Sequence, residues 1–189
     1  LSGGQRQRVM VARALILQPR ISLADEPVSM IDASLRATVL GSLQRLKQQF
    51  GISIVYITHD LTTAYQISDS IVVLYRGSVA ELGDVTPVVQ APKHPYTRLL
   101  VGSIPEADPD LPWAEELPPA LAGQRPGPTA CKFVDRCPAA MPKCLQQTPP
   151  LFRVEERCAA ACFLYEDAPV LQIEEMGQML RASRVTAGS

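Results

Sequence analysis

Apolar residues recur along the first half of the chain with two different periods. Val9, Ala12 and Ile16 follow Ser2 at helical spacing, with Pro19 just past the end, and predict a helix capped by Ser2. A short apolar run from Ile21 to Ala24, closed by "DEP", predicts a strand. Leu35, Val39, Leu43, Leu46 and Phe50 then step by four, four, three and four residues, which describes one helical face that Gly51 should stop. "ISIVYI" (Ile52–Ile57) is rich in β-branched residues and predicts a second strand, after which "THDLTTAYQIS" starts another helix. "SIVVLYRGSVAELG" reads as a hairpin that turns at Arg76-Gly77.

The order strand, helix, strand implies a right-handed βαβ unit with parallel strands, and hence an α/β fold. Parallel strands deliver their C-terminal ends to one edge of the sheet, where open α/β sheets bind ligands. Asp25-Glu26 follow the first strand and Thr58-His59-Asp60 follow the second, so two carboxylates and an imidazole should share a rim. An aspartate there can hold a hydrated magnesium ion, because Mg²⁺ takes few carboxylates and keeps its waters. A following glutamate can orient or deprotonate a water that attacks a phosphate, and His59 can hydrogen-bond the departing phosphate. At the opening, the free N–H groups of a helix start beside Gly3 and Gly4 favour an anion. Each feature alone is more often a solvated turn or a structural histidine; their joint order carries the weight.

Composition divides the chain. Of its 17 prolines, 13 lie between Pro92 and Pro150, and all five cysteines lie between Cys131 and Cys162. The expected organisation is an α/β portion at 1–85, a Pro-rich connector at 86–128, a Cys-rich module at 129–165 and a tail at 166–189. Val170, Ile173, Met176 and Leu180 give the tail a weak helical period. The formal net charge of −1 provides no electrostatic footprint for nucleic acid. The longest unbroken apolar run, Cys158–Tyr165, has eight residues; a bilayer span needs about 20. With no charged-then-apolar leader pattern at the start, a cytosolic setting is expected.

Four motifs together resemble a known family. "LSGGQRQRV" resembles the signature motif of ATP-binding cassette (ABC) proteins, and "ISLADEP" their Walker B strand. "VSMID" (Val28–Asp32) resembles the D-loop and "ITHDL" the switch-histidine region. The resemblance implies the C-terminal part of a P-loop NTPase sheet. It makes Asp25 the magnesium partner, Glu26 the catalytic base and His59 the γ-phosphate sensor. It makes Ser2, Gly3, Gly4 and Gln5 the contact to ATP held by an opposite subunit, with Asp32 communicating across that interface. Ser22 departs from an all-apolar Walker B strand. No "GxxxxGK[ST]" occurs in the chain, so the expectation is a fragment that begins after the P-loop and Q-loop, inactive by itself. The missing strand should leave an unpaired apolar edge.

"APKHPYTRLLVGSIPEADP" (Ala91–Pro109) and the Cys-bearing stretch resemble the C-terminal extension of oligopeptide and dipeptide importer ATPases. That resemblance implies ATP and Mg²⁺ as cofactors and a place on the cytoplasmic face of the inner membrane. The implied partners are a second ABC ATPase subunit, identical or not, two transmembrane permease subunits and, indirectly, a solute-binding protein. The competing readings are a soluble ABC ATPase outside transport, which predicts a basic groove or coiled-coil insertion, and a non-enzymatic metal-binding or interaction module.

Disulfides rarely persist in a reducing compartment, and inert buried thiols account better for one or two cysteines than for five within 32 residues, so the readings are a metal or cluster site and, against it, a thiol-rich fold without metal. Four thiolates around one centre suit zinc or an iron–sulfur cluster. By family position the four are Cys131, Cys137, Cys144 and Cys162, expected to hold a [4Fe–4S] cluster or zinc. Cys158 is left as a spare thiol or a substitute ligand.

Overall fold

The computed structural model describes residues 5–6, 9–10, 12–13, 16, 19–29, 31–104 and 118–180, and divides the chain into two compact units, 1–67 and 68–189. Among the described residues, no helix is long and apolar enough to cross a membrane.

In the first unit, the described residues from Gln5 to Arg13 are helical. Strand β1 (Ile21–Asp25), helix α1 (Ala33–Phe50), strand β2 (Ser53–Ile57) and helix α2 (Leu61–Ile67) follow in order. β1 and β2 pair in parallel, from Ile21 opposite Ser53 to Asp25 opposite Ile57. Thus the α/β reading and the shared rim both stand. Gly51 ends α1 at φ 63, a left-handed conformation that glycine takes without a Cβ penalty. Val39 and Leu40 of α1 pack with Val28 and Ile31, and Tyr56 and Ile67 lean on the same cluster. The helical face read from the sequence is buried only at Val39 and Leu43; Leu35 and Phe50, near its ends, are exposed.

The two-stranded sheet has one face open. Ile21, Leu23, Val55 and Ile57 are 63%, 73%, 47% and 50% exposed, while the alternate residues are half-buried. The four exposed apolar residues alternate along both strands and so share one face of the sheet.

The second unit is built on a four-stranded antiparallel sheet. Its strands are β3 (Ser70–Tyr75), β4 (Ser78–Asp84), β5 (Phe152–Glu155) and β6 (Cys158–Ala160), in the spatial order β3-β4-β6-β5. Arg76 (φ 47) and Gly77 (φ 73) make the predicted hairpin turn with both central residues at positive φ, the geometry that matches strand twist. Helices α3 (Val85–Gln90) and α4 (Pro95–Gly102) follow the hairpin, and α5 (Ile173–Met179) closes the unit. Leu82, Ala159, Leu171 and Met179 form one buried cluster, so Leu171 and Met179, rather than the exposed Ile173, seat the tail.

This architecture differs from the organisation expected near residue 85. The hairpin belongs with the second unit, because Glu81–Gly83 pair with Cys158–Ala160. Such a pairing joins residues more than 70 positions apart and leaves no periodic trace in the sequence. The start of the expected connector is also ordered: His94 caps α4, its ring accepting the Tyr96 N–H at 3.0 Å.

Candidate functional site

The rim is made by two strand ends. The Glu26 N–H donates to the Ile57 carbonyl at 2.9 Å, which carries the β1–β2 ladder one residue past the strands. The backbone then turns at Glu26 with φ 45, unusual for a residue with a Cβ. This turn aims the carboxylate back across the sheet. Its Oε1 accepts the His59 N–H at 3.0 Å and lies 2.6 Å from His59 Nδ1. The ring contact holds the Glu26 carboxyl below its usual range, helped by the backbone N–H and by the nearby Thr58. His59 stays highly exposed.

Asp25 ends β1 in an exposed position, opposite Ile57 of β2. Asp32 precedes α1 and accepts the Leu35 and Arg36 N–H groups through its backbone carbonyl at 3.0 Å, with no bond from its side chain. Gln5 is helical and exposed. Ser2, Gly3 and Gly4 lie outside the described residues.

Sequence reasoning placed Asp60 after the second strand without giving it a role. Its Oδ1 accepts the Thr62 and Thr63 N–H groups at 3.0 and 3.3 Å, capping α2, while Oδ2 meets Arg36 of α1 at 3.2 Å. The turn that presents His59 is therefore tied to both helices. The signal was present in "HDLTT", an aspartate directly before a helix with threonines two and three positions on.

In the second unit, Cys131, Cys137, Cys144 and Cys162 line one enclosed pocket, together with His94, Phe133 and other apolar residues. All are free thiols. The Cys131 N–H donates to the Cys144 carbonyl at 2.9 Å, and Thr129 and Thr148 hydroxyls bond backbone carbonyls across the same loops. Burial raises the Cys131 and Cys137 thiols above their ordinary range and pushes Cys162 up to about 11. The pocket has about 10 Å³ of free room, enough for one water-sized sphere. Among the described residues, no three His, Cys, Asp or Glu side chains are arranged to hold a metal ion. The four thiols share a pocket, but neither the zinc nor the [4Fe–4S] centre expected from the sequence is formed among the described residues. Cys158 does not line this pocket; it is fully buried on β6.

Residues 1–29 match the ABC transporter family, and residues 80–144 match the oligopeptide/dipeptide transporter C-terminal region. The chain is 42% identical over 165 residues to the oligopeptide transport ATP-binding protein OppF of Salmonella typhimurium, covering 85% of this chain and 49% of that protein. It is 44% identical over 154 residues to OppF of Escherichia coli, covering 79% and 46%. The chain belongs to the oligopeptide/dipeptide branch of the ABC transporter ATP-binding family. The putative oligopeptide transport ATP-binding protein YkfD of Bacillus subtilis is 42% identical over 171 residues, covering 88% of this chain and 52% of that protein. This member of the family thus spans about half the length of the curated relatives it matches. A solved ATP-binding cassette of an ABC transporter in its ADP conformation superposes on 52% of this chain and 40% of its own, at 27% identity and a TM-score of 0.46.

Proposed function

We propose that this chain carries the hydrolytic rim of an ATP-hydrolysing subunit that energises peptide import. The carrying observation is the 2.6 Å contact between Glu26 and His59, brought together by parallel strands beside an exposed Asp25. Asp25 suits a magnesium ion that is otherwise held by phosphate oxygens and water, which explains why one carboxylate suffices. Glu26, held low by His59, is a weak base that accepts and orients a water. When the His59 ring turns to the γ-phosphate, Glu26 loses its main acidifying contact and becomes more basic, so phosphate engagement strengthens the base. Ser2, Gly3, Gly4 and Gln5 would contact ATP on a second cassette and Asp32 would sense it.

The partners in this reading are that second cassette and two permease subunits, with the ATPase peripheral on the cytoplasmic face of the membrane. The names of the relatives, which are transporters of oligopeptides, support peptides as the cargo. The test is ATP hydrolysis by the full-length protein, reconstituted with its permease subunits in liposomes. Peptide delivered by a binding protein should stimulate hydrolysis several-fold, and Glu26→Gln should abolish it while ATP stays bound. Unchanged hydrolysis by that variant would contradict the proposal.

We further propose that the pocket of four thiols accepts a [4Fe–4S] cluster. Its support is that residues spread over a 32-residue stretch converge on one apolar pocket. Four thiolates around one centre suit such a cluster. The bound cluster would supply redox or structural chemistry, and its entry requires the loops to spread and the thiols to lose protons. Anaerobically purified full-length protein should be brown and contain about four irons per chain. Colourless, iron-free protein would overturn this assignment.

A further inference from the structure

The second unit buries a carboxylate completely. Glu81 of β4 has no exposed surface, and its three donors are all neutral. The Lys93 N–H reaches Oε1 at 2.9 Å and the His94 N–H reaches Oε2 at 2.8 Å. The third donor is the Cys158 thiol, 3.7 Å from Oε1 and equally buried on the adjacent strand β6. The Lys93 ammonium is engaged elsewhere, with Glu155 at 2.5 Å. A buried charge served only by neutral donors depends strongly on each of them.

We propose that Glu81 and Cys158 form a latch that pins the Lys93-His94 turn to the sheet, and that Cys158 serves this latch and is not a ligand of the thiol pocket. The consequence runs through His94. Its backbone N–H is held by Glu81, its ring accepts the Tyr96 N–H to cap α4, and the same ring donates to the Ala161 carbonyl, next to Cys162. The His94 ring is also part of the pocket wall, 5.8 Å from the Phe133 ring. Glu81 and Cys158 are thus positioning residues: they set one wall of the pocket and the start of α4 without touching whatever the pocket holds.

The chemistry separates a donor from a ligand. Cys158→Ala deletes the donor, whereas Cys158→Ser restores an O–H that reaches Glu81 after a small shift. Hydrogen–deuterium exchange of residues 92–102 in the full-length protein reads the latch directly. Exchange should quicken about tenfold in Cys158→Ala, as expected for loss of one bond to a charged group, and also in Glu81→Gln, whose amide turns a donor toward a backbone N–H. Cys158→Ser should return exchange close to the native rate. Native exchange in Cys158→Ala, or no recovery in Cys158→Ser, would overturn the latch, and the serine–alanine pair decides the question even if Glu81→Gln does not fold.

The ligand assignment rests on the cluster reading above and has its own readout. Anaerobic iron content should be unchanged in Cys158→Ala and lost in Cys162→Ala. Iron lost with Cys158 would overturn this half of the proposal. If the native protein carries no iron, the cluster reading fails by itself and the exchange measurement still decides the latch.

Discussion

His94 is a buried base that its surroundings keep neutral. Burial lowers its pKa from 6.5 to about 4, and the ring is used as an uncharged donor and acceptor. The unfolded chain therefore binds a proton below about pH 6.5 that the folded chain refuses until about pH 4. Stability contributed by the neutral ring is complete above pH 6.5 and falls as pH drops through that window, by about 3 kcal/mol at the acid end. Urea unfolding of the second unit between pH 7 and 4 should show this slope. His94→Asn, which keeps an acceptor for Tyr96, should flatten it, and an unchanged slope would assign the acid sensitivity to other groups. Glu26 shows the opposite economy at the same scale. It sits at φ 45, where non-glycine residues carry a backbone cost of about 1–3 kcal/mol, and that strain points its carboxylate at His59.

At the scale of elements, β4 and β6 approach each other closely at Gly83. A Cβ built on Gly83 would lie 2.3 Å from the Arg157 carbonyl oxygen and 3.0 Å from the Cys158 Cα. Both obstacles are backbone, so Gly83→Ala must push the strands apart. It should cost about 1–3 kcal/mol in chemical denaturation, whereas Gly41→Ala in α1, with open space around it, should be neutral or mildly stabilising. These pairings explain what was legible beforehand. The βαβ unit could be read because its signals are local: a β-branched run from Ile52, five apolar positions of α1 and a glycine stop at Gly51. Glu81 could not, since alternation in a hairpin suggests a solvated glutamate and only the arrival of β6 and the Lys93-His94 turn covers it. Crowding singled out five cysteines and only the family resemblance chose four of them; what Cys158 touches became visible once β6 placed it against Glu81.

For the whole molecule, the two units carry two chemistries. The first presents the acid pair and the imidazole on a parallel sheet whose other feature is an open apolar face of Ile21, Leu23, Val55 and Ile57. Contiguous exposed apolar surface of this kind is what protein–protein contacts use. The second unit holds the thiol pocket and the latch that shapes it.

The contact between Glu26 and His59 is the feature on which the functional account stands, and a double-mutant cycle on hydrolysis tests it most directly. Single-turnover Mg-ATP hydrolysis would be compared in the full-length protein for Glu26→Gln, His59→Ala and the pair. Two residues that act on one phosphate as a unit give non-additive losses: each single variant should lose about 100-fold or more, and the double variant scarcely more than the worse single. Wild-type turnover in either single variant, or losses that multiply in the double, would contradict it.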